Sequence, residues 1–213
     1  MKGVRFGEFH SFDEWGLVLS DKDIQAPEPK IMQIDIPGGD GVLDLTDYFG
    51  DTKYNNRVLS FTFSRAFATP GEYLALYSTV QNAIHGRMLD VILDDDAEYY
   101  YRGRATINEW KSEKRIGNIV VEVDAEPYKY KLAETAVAVV VNGTNSVVLP
   151  NGRKRVVPEI TTDAEMKITF GAYTGTFDAG TFTIPELVLA AGKNTVKVTG
   201  TGNISFRYRE GVL

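Results

Sequence analysis

The side chains that most often carry catalysis or bind metals are scarce in this sequence. The chain has two histidines, His10 and His85, and no cysteine. Without cysteine, disulfides, thiolate zinc sites and cysteine nucleophiles are all excluded. His85 falls in the last turn of a predicted helix, where a histidine interacts favourably with free carbonyl groups. We therefore predict neither a metal site nor a histidine catalyst.

Carboxylates offer the remaining route to metal chemistry. Residues 94–96 are three consecutive aspartates, closely followed by Glu98, and hard cations such as calcium prefer oxygen ligands. This run lacks the spacing and the central glycine of an EF-hand loop, so a solvated turn is the favoured interpretation. Asp40, Asp44 and Asp47 are a similar case, in which capping and turn roles are favoured over metal binding.

No motif of a cofactor-binding loop or an activated nucleophile is present. The sequence has no Gly-x-Ser-x-Gly elbow and no Walker or dinucleotide glycine loop, and Gly200-Thr201-Gly202 precedes a predicted strand rather than a helix. The basic triplet 153–155 is too short for a nucleic-acid patch, which favours a solvated turn. We predict no cofactor and no enzymatic activity.

Residues 30–50 contain the most distinctive pattern of the chain. Ile31, Gln33 and Asp35 alternate with three apolar residues, which predicts a half-buried strand, and Pro37 ends it. The segment 37–41, Pro-Gly-Gly-Asp-Gly, then predicts a shaped loop, because glycine tolerates positive φ and aspartate bonds its own backbone. From the residues alone, four roles stay open: a metal site, a phosphate cradle, a tight turn, or an arm presented to a partner.

The elements around this stretch predict a mainly β domain with one helix. Residues 57–63 alternate as a strand, and further strand patterns cover 89–93, 98–105, 106–110 and 119–123. The helix begins at a capping box, Thr69-Pro70-Gly71-Glu72, and Gly86 is placed to end it. We predict an α+β sandwich, with the helix over one sheet face.

A second domain is predicted after a proline- and charge-rich junction at 126–131. We place the boundary between an N-terminal domain, 1–130, and a C-terminal domain, 131–213. Beyond it, closely spaced strand patterns predict an all-β sandwich or jelly roll. Asn142-Gly143 and residues 200–203 are interpreted as turns between strands.

Charge separates the same two portions. The formal net charge is −6; residues 1–130 hold 22 acidic and 14 basic residues, a net of −8, whereas residues 131–213 hold 7 acidic and 9 basic, a net of +2. Proteins that grip nucleic acid show a clustered basic face instead, so the first portion should repel DNA. The sequence lacks a signal peptide and a run of 18 apolar residues, from which we expect a soluble protein made in a cytoplasm, with no membrane insertion.

The order of features along the whole chain resembles the distal tail proteins of siphophages, often called Dit. The residues that carry the resemblance are Phe6-Gly7-Glu8-Phe9-His10-Ser11, Trp15-Gly16-Leu17, the loop from Ile36 to Leu45, the helix leading into Asp94-Asp95 and Tyr99-Tyr100, the junction Glu126-Pro127-Tyr128-Lys129-Tyr130, and Gly192-Lys193-Asn194, Gly200-Thr201-Gly202 and Tyr208-Arg209-Glu210-Gly211.

This resemblance implies a structural role in a phage tail. It implies an N-terminal ring-forming (belt) domain that assembles into a homohexamer around the tail channel, and a galectin-like C-terminal β-sandwich. The implied partners are the tail tube protein, the tail-tip or tail-associated lysin protein, and receptor-binding proteins or other baseplate components. DNA is then a partner only in transit, and the protein is located in the virion tail tip after assembly in the host cytoplasm.

In this context the loop at 36–49 is best interpreted as an arm at the subunit boundary. The candidate interface residues are Ile36, Pro37, Gly38, Gly39, Asp40, Gly41, Asp44, Leu45, Tyr48 and Phe49. The candidate pore-lining residues are Asp94, Asp95, Asp96 and Glu98. An alternative function is glycan binding by a lectin-like sandwich in host-surface adhesion, for which Tyr173, Phe177 and Tyr208 are the candidate contacts.

Overall fold

The computed structural model describes residues 3–48, 50–113 and 115–213. The chain divides into two compact units, Met1–Pro127 and Tyr128–Leu213. Within the described residues there are many strands and a single α-helix, so the predicted fold class, mainly β with one helix, is confirmed.

The first unit is built on a large antiparallel sheet. Its elements are β1 (Val4–Phe6), β2 (Phe9–His10), β3 (Val18–Ile24), β4 (Gln33–Asp35), β5 (Val42–Asp44), β6 (Arg57–Ala66), α1 (Pro70–Ile84), β7 (Met88–Leu93), a 3-10 turn (Asp94–Asp96), β8 (Tyr99–Glu113) and β9 (Ile116–Lys131), whose last residues belong to the second unit. The strand order is β2-β1-β7-β8-β9-β6-β3. Strands β4 and β5 stay outside this sheet and, among the described strands, pair only with each other.

The helix starts and ends where the sequence predicts. The Thr69 hydroxyl accepts a hydrogen bond from the Glu72 backbone N–H (3.3 Å), and the Glu72 carboxylate accepts one from the Ala68 N–H (3.0 Å), which satisfies two free donors. Tyr73 lies against β9 at Gly117, where a Cβ would sit 2.1 Å from the tyrosine ring. Helix α1 thus covers the sheet and buries its apolar side against a core that includes Phe61.

The second unit is organised by one long ribbon. Its elements are β10 (Thr135–Asn151), β11 (Glu159–Thr162), β12 (Met166–Phe170), β13 (Tyr173–Phe177), β14 (Gly180–Thr183), β15 (Gly192–Tyr208) and β16 (Gly211–Val212), which pairs with the end of β9. Strands β10 and β15 pair over 17 residues without interruption. Strand β12 pairs with the first half of β15 and β11 with its second half.

The two turns predicted inside this ribbon are wrong. Asn142 pairs with Thr201 and Gly143 with Gly200 in an unbroken ladder, so neither strand reverses direction there. The glycines instead form a bend shared by both strands, and Gly143 adopts a φ of 85°. Inward-facing residues from both halves, such as Val198 and Phe206, join one buried cluster, so the bend curls the sheet over a single core.

Candidate functional site

The predicted loop at 36–49 lies in an arm formed by residues 28–55. The arm leaves the main sheet after β3 and returns to it at β6. Its base is closed by a bridge between Pro29 and Tyr54, and by a hydrogen bond from the Lys30 N–H to the Lys53 carbonyl (2.7 Å). The connector between two neighbouring strands is thereby folded back on itself as a separate hairpin.

The tip of the arm is a glycine turn, as the sequence predicts. The Gly39 N–H donates to the Ile36 carbonyl (3.1 Å), and Gly38 and Gly41 adopt φ values of 77° and 79°. Residues with a Cβ rarely adopt this left-handed region, so these glycines shape the tip. The candidate residues Pro37 and Asp40 lie in the same turn and are exposed.

One face of the arm is apolar and open to solvent. The register pairs Ile34 with Leu43, and Met32 and Ile36 point to the same face by strand alternation. These four side chains are each between 47% and 49% exposed. The prediction of a half-buried strand is therefore wrong for the single chain, because the described part of the chain pairs β4 only with β5 and places no second layer over the hairpin.

The opposite face of the arm is more polar. The Asp44 carboxylate accepts hydrogen bonds from the Thr46 N–H (2.9 Å) and from the Gln33 side chain (3.3 Å). Hydrogen bonding lowers the pKa of Asp44 below its ordinary value. The Thr46 side chain has the largest effect, followed by the Thr46 backbone and the Gln33 side chain. Asp44 therefore ties the two strands together and stays ionised.

The remaining candidate interface residues follow β5. Leu45 is half-buried, and its N–H donates to the Met32 carbonyl (2.8 Å), whereas Tyr48 is 73% exposed. Phe49 lies outside the described residues. The sequence-based candidates do not include the apolar residues Met32, Ile34 and Leu43. The alternation of residues 31–36 is the available signal, but by itself it predicts burial within one chain.

The acidic run 94–98 forms a tight turn between β7 and β8. The Asp94 carboxylate accepts from the Gly3 N–H (2.7 Å) and lies 3.2 Å from the buried His10 ring, and Asp95 forms an ion pair with Lys22 (2.5 Å). Two of the four predicted pore-lining carboxylates are thus paired within the unit. Glu98 is exposed and Asp96 is half-buried.

The aromatic residues suggested for glycan binding do not form an open platform. Tyr208 is 4% exposed, and its hydroxyl donates to the Pro150 carbonyl. Burial and the charge of Glu210 raise the pKa of Tyr208 to about 12. Tyr173 and Phe177 pack against the core of the second unit, where Phe177 stacks on Phe182 at 4.6 Å between ring centroids.

Neither metal ligation nor a membrane span is visible in the described part of the chain. No group of three or more histidine, aspartate or glutamate side chains there is arranged to hold a metal ion. No helix among the described residues combines the length and the apolar character required to cross a bilayer.

Comparison with known proteins finds similarity among the solved structures. No protein-family model matches the sequence, and no curated protein does either. The structure is similar to the crystal structure of SPP1 Dit (gp 19.1), presented as a paradigm of the hub adsorption apparatus in phages that infect Gram-positive bacteria. The TM-score is 0.72 over 98% of this chain and 99% of that chain, at 13% sequence identity. The resemblance to Dit is thereby confirmed at the level of the fold: this chain has the fold of a Dit protein.

Proposed function

We propose that this protein is a structural, non-enzymatic component of a phage tail hub. The observation that carries the proposal is the fold, which follows that of a hub protein over nearly the whole of both chains. In this role the protein forms a hexameric ring at the distal end of the tail tube. It joins the tube to the tail-tip, receptor-binding and baseplate proteins of the virion, after assembly in the host cytoplasm.

The arm supports a ring contact made by the first unit. An isolated two-stranded hairpin is marginally stable in water, and this one exposes a row of four large apolar side chains. Covering that row removes apolar surface from water, at roughly 25 cal/mol per Å². We propose that a neighbouring copy supplies the cover. A heterologous contact whose rotation closes produces a ring, and the number six follows the resemblance.

The charge of the first unit supports the passage of DNA. A net charge of −8 over residues 1–130 disfavours contacts to phosphate, so DNA passes without being retained. We propose that the turn formed by residues 94–96, together with Glu98, faces the channel. The ion pair Lys22–Asp95 reduces its charge, and the contacts of the Asp94 carboxylate with the Gly3 N–H and the His10 ring fix its conformation. The second unit serves as the galectin-like domain.

The ring is tested by native mass spectrometry and electron microscopy of the purified full-length chain. We expect six copies around a central hole. In the variant Ile34→Lys/Leu43→Lys, two charges replace the centre of the apolar row, and we expect folded monomers. The matched control is Leu74→Lys, because Leu74 is an exposed leucine (59%) on α1, outside the arm.

A second variant tests the shape of the tip. Gly38→Val/Gly41→Val forces β-branched residues into the left-handed region, at a cost of roughly 1–2 kcal/mol each, without steric conflict nearby. We expect a folded chain that no longer closes into rings. Intact rings from both double variants would overturn the arm as the subunit contact, and a monomeric wild-type chain bound to cell-wall polysaccharide would favour the glycan-binding alternative.

A further inference from the structure

One edge of β10 is left unpaired within the second unit. Strand β10 pairs with β15 along its whole length, and no described strand pairs with its other edge. Because β15 belongs to both halves of the bent sheet, β10 is the edge strand of both. The backbone N–H and C=O groups along such an edge are a template for a further strand.

The first half of this edge lacks the features that protect edges from pairing. Residues 135–149 contain no charged side chain and no proline. Exposed edge strands usually carry lysine, proline, bulges or inward charges that prevent association. Here the outward side chains are Ala136, Ala138 and Val140, of which Val140 is 72% exposed. Pro150, near the end of β10, has no N–H to donate and therefore disfavours strand pairing only in the second half of β10.

The other sheet ends of the molecule are short or charged. Strands β2 and β16 have two residues each, β4 and β5 have three, β14 has four and β13 has five. Strand β3 is longer but carries Asp21, Lys22 and Asp23. Among the described strands, β10 is therefore the edge best suited to pair with another chain.

We propose that the segment 135–141 of β10 pairs with the same segment of a second copy, antiparallel around a twofold axis at Ala138. In an antiparallel pair, directly opposed residues project from the same face of the sheet. When a segment pairs with its own copy, the residue numbers of each opposed pair must therefore add up to an even number. With Ala138 opposite its own copy, Ala136 lies opposite Val140, which matches a small side chain with a large one on the outer face. Val137 lies opposite Val139 on the inner face.

Charge favours the chain itself as the occupant of this edge. The segment brings no charge against its own copy, and in this register Glu134 lies opposite the uncharged Asn142. Glu134 already has cationic neighbours in its own chain, since it lies 3.3 Å from Arg209 and 3.7 Å from Arg207. A partner strand with acidic side chains would find no basic side chain among residues 135–149 with which to form an ion pair.

The sheet surface next to this edge carries a depression. A depression of about 280 Å³ lies across β10, β15 and β11, with Ala138 and Ser205 among its lining residues. Ala138 and Ser205 are small, so they add little bulk on the outer face next to the edge at which the second strand would pair. This contact is separate from the arm, so it goes beyond the proposed ring. An isologous twofold contact added to a closed ring would join copies from two rings.

Disulfide cross-linking tests the register directly, because the natural chain contains no cysteine. In the full-length variant Ala138→Cys, the two cysteines lie directly opposite each other. Their Cα atoms are then roughly 4.5–5.5 Å apart, a separation that a disulfide can span. We expect a covalent dimer after mild oxidation, seen on non-reducing denaturing gels. Ala136→Cys should give none, because its two copies lie four residues apart, roughly 13 Å along the strand.

Two further variants make the test decisive. Thr183→Cys places a thiol on β14, the opposite edge of the same half-sheet, and should remain monomeric on the gel. Adding Val140→Lys to Ala138→Cys should reduce the dimer at least tenfold, whereas adding Val140→Thr should not. Repeating the experiment with Ile34→Lys/Leu43→Lys separates this contact from ring formation, since the dimer should persist there.

The opposite results would overturn the proposal. A folded Ala138→Cys protein, verified by circular dichroism, that stays monomeric would exclude this self-pairing. Equal cross-linking of the variants at positions 136, 138 and 183 would show random collision rather than a defined register.

Discussion

The arm and the β10–β15 ribbon are both antiparallel strand pairs in which glycines change the direction of the backbone, but only the ribbon belongs to a larger sheet. The arm has three paired positions between β4 and β5, and large apolar side chains on it remain exposed. The ribbon has 17 paired positions, and its inward side chains are buried beneath one curled sheet. Similar local chemistry therefore produces a separate hairpin in one unit and the framework of a core in the other.

The glycines show why this difference arises. In the arm, Gly38 and Gly41 have no other atoms near a hypothetical Cβ, and the chain is free to reverse. In the ribbon, Gly143 is equally open, but Gly200 and Gly202 on the paired strand face close neighbours, with Met166 2.5 Å from a Cβ at Gly200. A glycine-containing sequence that predicts a turn therefore forms a bend instead when the strands on both sides of it remain paired and pack against other strands.

The largest expected difference between the two regions concerns apolar truncation. Ile204 in β15 is 1% exposed, so Ile204→Ala should lower the free energy of unfolding of the second unit by roughly 2–5 kcal/mol. Ile34→Ala in the arm should change the unfolding free energy by less than about 0.5 kcal/mol. Urea unfolding of dilute, monomeric protein measures both. A comparable loss in the two variants would mean that the arm is stabilised within its own chain.

Substituting glycine should also destabilise the ribbon more than the arm, but by a smaller difference in stability than apolar truncation. Gly200→Ala places a Cβ 2.8 Å from the backbone carbonyl of Glu165, and overpacking of this kind costs roughly 1–3 kcal/mol. A Cβ in Gly38→Ala meets no described atom within 4 Å, and its backbone strain is confined to the arm, which contributes no residue to the packed core of the first unit. We expect thermal unfolding to detect only the first change. Equal melting temperatures for the two variants would argue against the bend as a tightly packed element.

The smallest expected contrast is in the response to acid. The side chain and backbone N–H of Asn203 hydrogen-bond to Asp163 at 2.6 Å each and lower its pKa, while Thr46 and Gln33 lower that of Asp44. A carboxyl group with a lowered pKa stabilises the fold above its unfolded pKa, and this contribution is lost as the pH falls through the folded pKa.

Acid should therefore loosen the ribbon bend and the arm separately. Between about pH 5 and pH 2, Asp163→Asn should reduce the acid sensitivity of the second unit, whereas Asp44→Asn should affect only signals from the arm. NMR titration of the two carboxyl groups, with urea midpoints at each pH, measures this. Identical pH profiles for wild type and Asp163→Asn would contradict a role for Asp163 in bracing the bend.

Much of the fold was predictable because its signals are local. The capping box at Thr69 and the alternation at 57–63 specify a helix and a strand from neighbouring residues alone. The tip of the arm was equally predictable, since proline and three glycines within five residues leave few other conformations. The exposed apolar face of the arm was not, because alternation shows which side chains share a face but not what covers them.

The sequence by itself determined the mainly β character, the single helix, the glycine tip of the arm and the uneven charge, all of which depend on residue type and short spacing. The tertiary structure decided three other features. It made Asn142-Gly143 a bend, because β15 continues opposite it. It paired Asp94 with His10 across 84 residues of sequence, and it left the arm and the β10 edge uncovered. These features depend on which distant segments meet, and local sequence does not encode that choice.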